Sequence, residues 1–577
     1  MPLFRADETY TTDHSLAWTK GSHQFRFGFD LVRHHLNHWQ PELSAGGPRG
    51  YFDFSGSVTS NNLGNDNATP ISQYNAYAQF LLGLSDNTQK GEQYILMTGR
   101  EWQLGWFVQD RCQVSQKLTV SLGLRYELYP LMTRCCGKGI ERYDPSTNNV
   151  YLGGRGNVPV DAGISVSHKL FAPRVGLAYR IDDKTVVRTG YGLNYDPIPF
   201  SRPLRGFYPL TINNNYSAPN SFVAADLGGG TPGSLENGIP PVVGPDLSTG
   251  VVQLDPTASE RSPYSFIHRG YVQSYHFTME RKLPAEIVMS AGYVGQHSVH
   301  LLADRDINAG YPGSGTTGLP QYATFGRTTA TNMWDGYLSS EYSSLQVAFN
   351  RQFSNGLMLK GAYTWSHAID YTDDDGWASV NWNWAPVFQR NRATAGFDRR
   401  HVFQLGWVYE LPFGPGKTFV NSGITAKLVG GWQFSGIESA YTGTPFTVTA
   451  DGTSLNAPNN LQTADQVLSN VQRTGGIGPG NPFYNTAAFA PVVDQRFGTS
   501  GRNKLVGPGI WNTDMSISRV FPIREKLSFE FRTEFYNLPN TSHFNNPAST
   551  NVNDSNFMQI TSSYGERNVR FAGRFSW

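Results

Sequence analysis

Leu118-Thr119-Val120-Ser121-Leu122-Gly123-Leu124-Arg125-Tyr126-Glu127 sets apolar residues against polar or small ones, position by position. Successive side chains of a strand point to opposite faces, so Leu118, Val120, Leu122, Leu124 and Tyr126 share one face. Thr119, Ser121, Gly123, Arg125 and Glu127 share the other. The pattern returns at 527–535, where Leu527, Phe529, Phe531 and Phe535 oppose Ser528, Glu530, Arg532 and Glu534, with Thr533 the one polar residue on the apolar side. It returns again at 357–365 and 403–411. Runs of about 10 residues exceed the ~5–6 of a soluble strand and match the ~9–11 that a tilted strand needs to cross a bilayer. Lipid offers no hydrogen-bond partner, so a spanning sheet must close on itself. The pattern therefore predicts an all-β chain, a transmembrane antiparallel β-barrel with an apolar outer face and a polar lumen. Soluble sandwiches and propellers also alternate. Run length, aromatic richness and Glu/Arg-lined polar faces favour the barrel.

Composition agrees. Of 577 residues, 16% are charged and 13% aromatic, with 61 glycines; typical globular chains hold roughly 25% charged residues and about 7% glycine. Mean hydropathy is −0.39, and no window approaches the ~18 apolar residues of a membrane-spanning helix. Lys and Arg total 46 against 45 Asp and Glu, without the basic excess of a nucleic-acid binder. Cys112, Cys135 and Cys136 fit neither a zinc spacing nor a disulfide framework. No cofactor is expected.

Seventeen strands are predicted, near 12–20, 24–34, 49–56, 90–98, 102–112, 118–131, 170–180, 184–196, 268–281, 286–301, 340–353, 356–370, 399–412, 429–442, 511–521, 526–537 and 566–577. From about residue 113 onward, short and long connectors alternate. The long ones are 132–169, 197–267, 302–339, 371–398, 443–510 and 538–565, rich in Gly, Asn, Ser and Pro. Outer-membrane barrels have short periplasmic turns and long extracellular loops. Ala76 to Leu84 reads as either a short helix or a strand.

The chain ends on a strand, with Phe571, Phe575 and Trp577 alternating with Arg570, Ala572, Arg574 and Ser576. A last strand closed by an aromatic resembles the signal read by the bacterial barrel assembly machinery. It implies a periplasmic C-terminus, periplasmic short turns and extracellular long loops. Glu530, Arg532, Glu534, Arg570 and Arg574 are expected as lumen charges. The candidate ligand-binding loop holds Asp373, Asp374, Asp375, Trp377, Trp382 and Trp384, carboxylates beside indoles that suit a cation, a sugar or an aromatic ligand. His34, His35 and His38 read as a polar strand end rather than a metal site. Gly416-Lys417-Thr418 reads as a turn, because Leu411 stands where a phosphate loop needs its first glycine. No nucleophile–base–acid set stands out, and no enzyme is expected.

Motifs in order along the chain carry a family resemblance: Phe107-Val108-Gln109-Asp110 with LTVSLGLRYE, Phe171 to Gly176 (FAPRVG), Arg188 to Asp196 (RTGYGLNYD), Tyr293-Val294-Gly295, and Tyr363 to Ala368 (YTWSHA). They continue with Phe397 to His401 (FDRRH), Leu411 to Gly414 (LPFG), Gly430-Gly431-Trp432, Gly443 to Phe446 (GTPF) and Phe531 to Asn540 (FRTEFYNLPN). The chain resembles the barrel of TonB-dependent outer-membrane receptors, most closely their Oar-like branch. That family has a 22-stranded, plugged barrel. It carries a signal peptide, a TonB-contacting box, a plug and often a carboxypeptidase-regulatory-like domain ahead of the barrel. None of these is legible here, and Met1 to Glu8 lacks a signal-peptide pattern. The expectation is therefore residues 1–577 as the barrel of an N-terminally truncated receptor, about 17 of 22 strands.

The resemblance implies TonB-dependent uptake of an unidentified substrate across the bacterial outer membrane. The implied partners are outer-membrane lipid, the barrel assembly machinery, and the TonB complex only through the missing plug; nucleic acid is not among them. A passive porin-like channel and a surface adhesion or structural protein are the alternatives.

Overall fold

The computed structural model describes residues 4–39, 47–60, 70–199, 202, 206–373 and 378–577. Its main sheet has 17 strands. Fifteen are long and follow one another as an antiparallel meander: β1 (Phe4–Lys20), β2 (His23–Trp39), β3 (Met97–Gln113), β4 (Leu118–Leu128), β5 (Leu170–Asp182), β6 (Thr185–Tyr195), β7 (Tyr271–Lys282), β8 (Ile287–Asp306), β9 (Thr331–Ser354), β10 (Leu357–Asp370), β11 (His401–Glu410), β12 (Trp432–Tyr441), β13 (Ile510–Arg524), β14 (Leu527–Tyr536) and β15 (Asn568–Ser576). Two short strands complete the sheet. Glu260–Pro263 pairs in parallel with Thr331–Trp334, and Ala393–Thr394 pairs with Ile369–Asp370.

The register places the two chemistries on opposite faces. Phe27 stands opposite Val108, Phe29 opposite Trp106, Trp106 opposite Tyr126 and Tyr126 opposite Phe171. Trp106 stacks on Tyr126 at 5.9 Å, and Tyr126 meets Phe171 at 4.9 Å, an aromatic row running across three strands. These residues lie on the exposed side of the sheet, which is the lipid face of a spanning barrel. No helix among the described residues is long and apolar enough to cross a membrane; the chain crosses with strands.

Two predicted strands change place. The segments near 49–56 and 90–98 supply Tyr51–Asp53 and Asn87–Gln93, which pair with each other, and Asn87–Gln93 pairs on its other side with Thr211–Ser217, in a separate three-stranded sheet outside the barrel. The reason is in the side chains: Asn87-Thr88-Gln89-Lys90-Gly91-Glu92-Gln93 has no apolar face to turn toward lipid. The expected count of 17 holds for the sheet, but as 15 long strands with Glu260–Pro263 and Ala393–Thr394 in place of these two segments. The ambiguous segment resolves as a helix, Pro70–Leu82. The strands also run longer than lipid requires, to 20 residues in β8 and 24 in β9.

β1 pairs only with β2 and β15 only with β14 among the described residues. The meander has an odd number of strands, so these two edges run in the same direction, each toward the short-turn side.

Candidate functional site

The lumen face is built from the polar half of each alternating run. Arg125 of β4 reaches across β3 to pair with Asp30 of β2, and its Nε donates to Glu127 at 2.8 Å. Gly105 of β3 makes this reach possible, because a Cβ there would lie 2.1 Å from the Arg125 guanidinium. Further round, Arg174 donates to Asn194 at 2.7 Å and Arg188 meets Glu280 at 3.3 Å. Two concave basins follow from this wall. One of about 880 Å³ is bordered by Asp13, Arg26, Asp30, Arg125, Arg174 and His276. The other, of about 810 Å³, is bordered by Lys360, Gln404, Ser435, Asp514, Ser516 and Glu534. Gly105→Ala is expected to displace the Arg125 guanidinium and loosen its pair with Asp30, at a cost of ~0–1 kcal/mol because the displaced atoms end a flexible side chain. The check is the midpoint of heat-induced mobility change for the natural protein; an unchanged midpoint would refute the coupling.

The expected lumen charges lie together on β14 and β15. Arg532 meets Glu530 at 2.6 Å and Glu534 at 3.7 Å. Arg574 stands opposite Glu530 and Arg570 opposite Glu534 in register, and the Arg570 guanidinium lies 5.0 Å from the Tyr536 ring. On the other face, Phe571 and Phe575 are exposed; the Phe575 ring lies 4.8 Å from that of Phe529, tilted by 39°, and Trp577 is exposed just beyond the strand.

The long loops carry cores of their own. Phe446, Val448, Phe483, Phe489, Phe557 and Met558 form one, and Tyr143, Val150, Leu152, Leu254 and Met333 another. Buried charges join the loops. Arg202 and Arg261 converge on Asp304, Arg261 at 2.8 Å. Arg327, wholly buried, donates to the carbonyls of Asp255 and Ala258 and to the Thr331 hydroxyl. The connectors thus form a packed cap rather than loose linkers.

The structure separates the acidic, Trp-rich loop into parts. Asp374, Asp375 and Trp377 lie outside the described residues. Asp373 accepts from Arg502 at 3.0 Å and Asn503 at 3.1 Å, and from the Gly396 amide. Trp382 is 0% exposed; its indole donates to the Leu461 carbonyl at 2.9 Å and the Arg390 guanidinium lies 5.0 Å from its ring. This places Trp382 in the packing between loops, not on a ligand face, because the 443–510 loop covers it. Trp384 is half-buried and stacks on Phe497 at 6.1 Å. His34 meets Thr9 at 3.0 Å, and His35 lies 3.8 Å from Glu8. Among the described residues no group of three or more His, Cys, Asp or Glu could hold a metal ion.

Sequence reading had not singled out Asp30, Gly105, Arg502, Arg327 or Glu260. Gly105 stands opposite Glu127 in register and Arg125 two pairs away opposite Phe107, so nothing local marks Gly105 in the sequence. Glu260 is 1% exposed, and neither carboxylate oxygen meets a donor among the described residues. Burial pushes its carboxyl well above the ordinary range; the Glu141 charge adds to the rise and Arg327 opposes it. A carboxyl raised in the folded state contributes stability that is full below the unfolded value of ~4.3 and is lost as pH rises through the folded value. Glu260→Gln is therefore expected to stabilise the cap at neutral and higher pH, by ~1–3 kcal/mol, and to change nothing in acid. Proteolytic resistance of the cap at both pH values checks it; the same difference at both would sink the idea.

An antiparallel sheet with an aromatic outer face, a charged inner face and a one-sided cap of long loops defines a bacterial outer-membrane β-barrel. The chain belongs to the outer membrane beta barrel domain family, whose model matches residues 1–570. No curated protein matches it. Among solved structures it is similar to the outer membrane transporter YddB from Escherichia coli, at 8% identity and TM-score 0.49, over 100% of this chain and 55% of that one. It is similar to the ferripyoverdine receptor of the outer membrane of Pseudomonas aeruginosa, at 11% identity and TM-score 0.45, over 100% of this chain and 49% of that one. The siderophore receptor PirA from Acinetobacter baumannii is similar at 8% identity and TM-score 0.44, over 100% of this chain and 55% of that one. The chain spans about half the length of these solved proteins.

Proposed function

We propose that this barrel is the transport portion of a TonB-dependent receptor of the Oar-like branch, taking up a substrate captured at its outer loops. The observation that carries the reading is the packed extracellular cap standing over a lumen wall lined with paired charges. The ordered motifs from FVQD to FRTEFYNLPN support the branch. A plug and the contact with TonB would come from a segment preceding this barrel. The two like-directed edges support that segment also supplying an odd number of spanning strands; seven would bring 15 to the 22 of plugged transporters. Phe571, Phe575 and Trp577 would present the strand to the assembly machinery. In the 371–398 loop, Trp384 beside Phe497 would offer ligand contact, while Asp373 and Trp382 hold the loop in place; the ligand role expected of Asp374, Asp375 and Trp377 rests on sequence alone. The role is transport, not catalysis.

The test is capture of the purified periplasmic domain of TonB. The natural protein with its preceding coding segment is expected to retain it, and residues 1–577 alone are not. Failure of the longer protein to bind, together with steady ion conductance in planar bilayers, would replace the reading with a passive channel.

A further inference from the structure

Cys135 and Cys136 stand at the tip of a tight hairpin in the loop between β4 and β5, on the long-loop side. The Arg134 amide donates to the Lys138 carbonyl at 2.9 Å, and the Lys138 amide to the Cys135 carbonyl at 3.2 Å. The two central residues both adopt left-handed backbone, Cys136 with φ 61° and Gly137 with φ 73°. Paired positive φ values mark the hairpin turn that usually takes Asn-Gly. A cysteine therefore occupies a position that backbone preference would give to asparagine. The turn is tied to β3 and to the loop that follows it. The Cys135 amide donates to the Thr98 hydroxyl at 2.8 Å, and Arg134 pairs with Glu141 at 2.7 Å.

This geometry brings the two sulfurs to 3.0 Å, both as free thiols. They line one cavity of about 160 Å³ together with Lys138 and Arg155, which make it electropositive. The Cys136 thiol donates to the Cys135 sulfur, and that bond, with the Thr98 hydroxyl and nearby arginines, holds the Cys135 thiol below its ordinary range despite partial burial. A thiolate is the nucleophile and the ligand form of cysteine.

Closing the pair on itself is disfavoured. Adjacent Cα atoms across a trans peptide lie ~3.8 Å apart, short of the ~4.4–6.8 Å that separates disulfide-linked residues. One soft atom bonded to both sulfurs spans them without drawing the Cα atoms out of that spacing, and soft centres prefer thiolate ligands.

We propose that Cys135 and Cys136 form a dithiol chelate in the long-loop cap of the barrel for trivalent arsenic compounds. With an organic arsenoxide, two As–S bonds form and the As=O bond breaks. Both thiol protons leave with the oxygen as water, and no atom changes oxidation state. The site is independent of the substrate route through the lumen.

The test uses outer membranes from cells producing the full natural protein, reduced with a phosphine that is then removed, and phenylarsine oxide as the probe. Mass analysis of the peptide spanning Cys135 and Cys136 is expected to show one adduct that survives excess monothiol and is released by a small dithiol. Cys135→Ser and Cys136→Ser are expected to lose it, and Cys112→Ser to keep it. Three results would overturn the proposal: no adduct on the reduced wild type, an adduct retained by either single-serine variant, or a peptide that closes to a vicinal disulfide before the probe binds.

Discussion

Refolded alone in detergent, residues 1–577 are expected to give a β-rich species whose gel mobility does not change on boiling. The same chain preceded by a segment with an odd number of spanning strands is expected to give a compact, heat-modifiable form. The cause lies in β1 and β15. Each has one side without a strand partner among the described residues, and unpaired backbone groups facing lipid cost several kcal/mol each. Because β1 and β15 run the same way, direct closure would demand a parallel seam. A second copy inserted in the same orientation brings edges that also run the same way, so it cannot supply an antiparallel partner either. An odd insert satisfies both edges. A heat-modifiable species from the chain alone, with cysteines placed on β1 and β15 cross-linking to one another, would refute this account.

Arg502→Met is expected to open the cap while leaving the barrel wall intact. Arg502 is 2% exposed and pairs with both Asp370 and Asp373. It also donates to the Asn391 carbonyl, so one side chain ties the end of β10, the 371–398 loop and the 443–510 loop. Removing the cation leaves two carboxylates facing each other without a counter-charge, a loss of ~3–5 kcal/mol for a broken buried pair. Limited proteolysis of the natural protein should then cut within both loops, with boiling-dependent mobility retained. Arg502→Lys should recover only part of the resistance, since an ammonium lacks the fork that serves several acceptors at once. A wild-type cleavage pattern in Arg502→Met would show that the loops are held by their apolar cores alone.

These two features differ in how far they could be read from residue order. The spanning parts of the wall were legible because lipid imposes period-two alternation, as at Leu118 to Glu127 and Leu527 to Phe535. Outside the lipid that constraint lapses. The Asn87–Gln93 strand pairs by backbone bonds, with no apolar face to betray which partner it takes, and the upper part of β9 turns its apolar residues, Met333, Trp334 and Leu338, into loop cores rather than toward lipid. Residue order alone therefore does not tell that Asn87–Gln93 leaves the main sheet while Met97 and Thr98 join it. The cap was less legible still. Asp373 and Arg502 are 129 positions apart, and nothing local distinguishes either from a solvated charge. Trp382 beside carboxylates reads as a ligand platform until the 443–510 loop is seen to cover it.

The lengths of β8 and β9 set the height of everything built on them. At ~3.3 Å per residue, the 24 residues of β9 extend about 80 Å. Tilted by about 40°, they climb about 60 Å, of which the apolar band of the membrane takes only about 25 Å. The remainder is a turret about 35 Å tall. A bacterial outer surface carries a dense coat of sugar chains, and loops lying flush with the bilayer would be screened from anything larger than a small solute. Raised on this turret, the cap can meet bulky molecules above the innermost sugars before they reach the membrane.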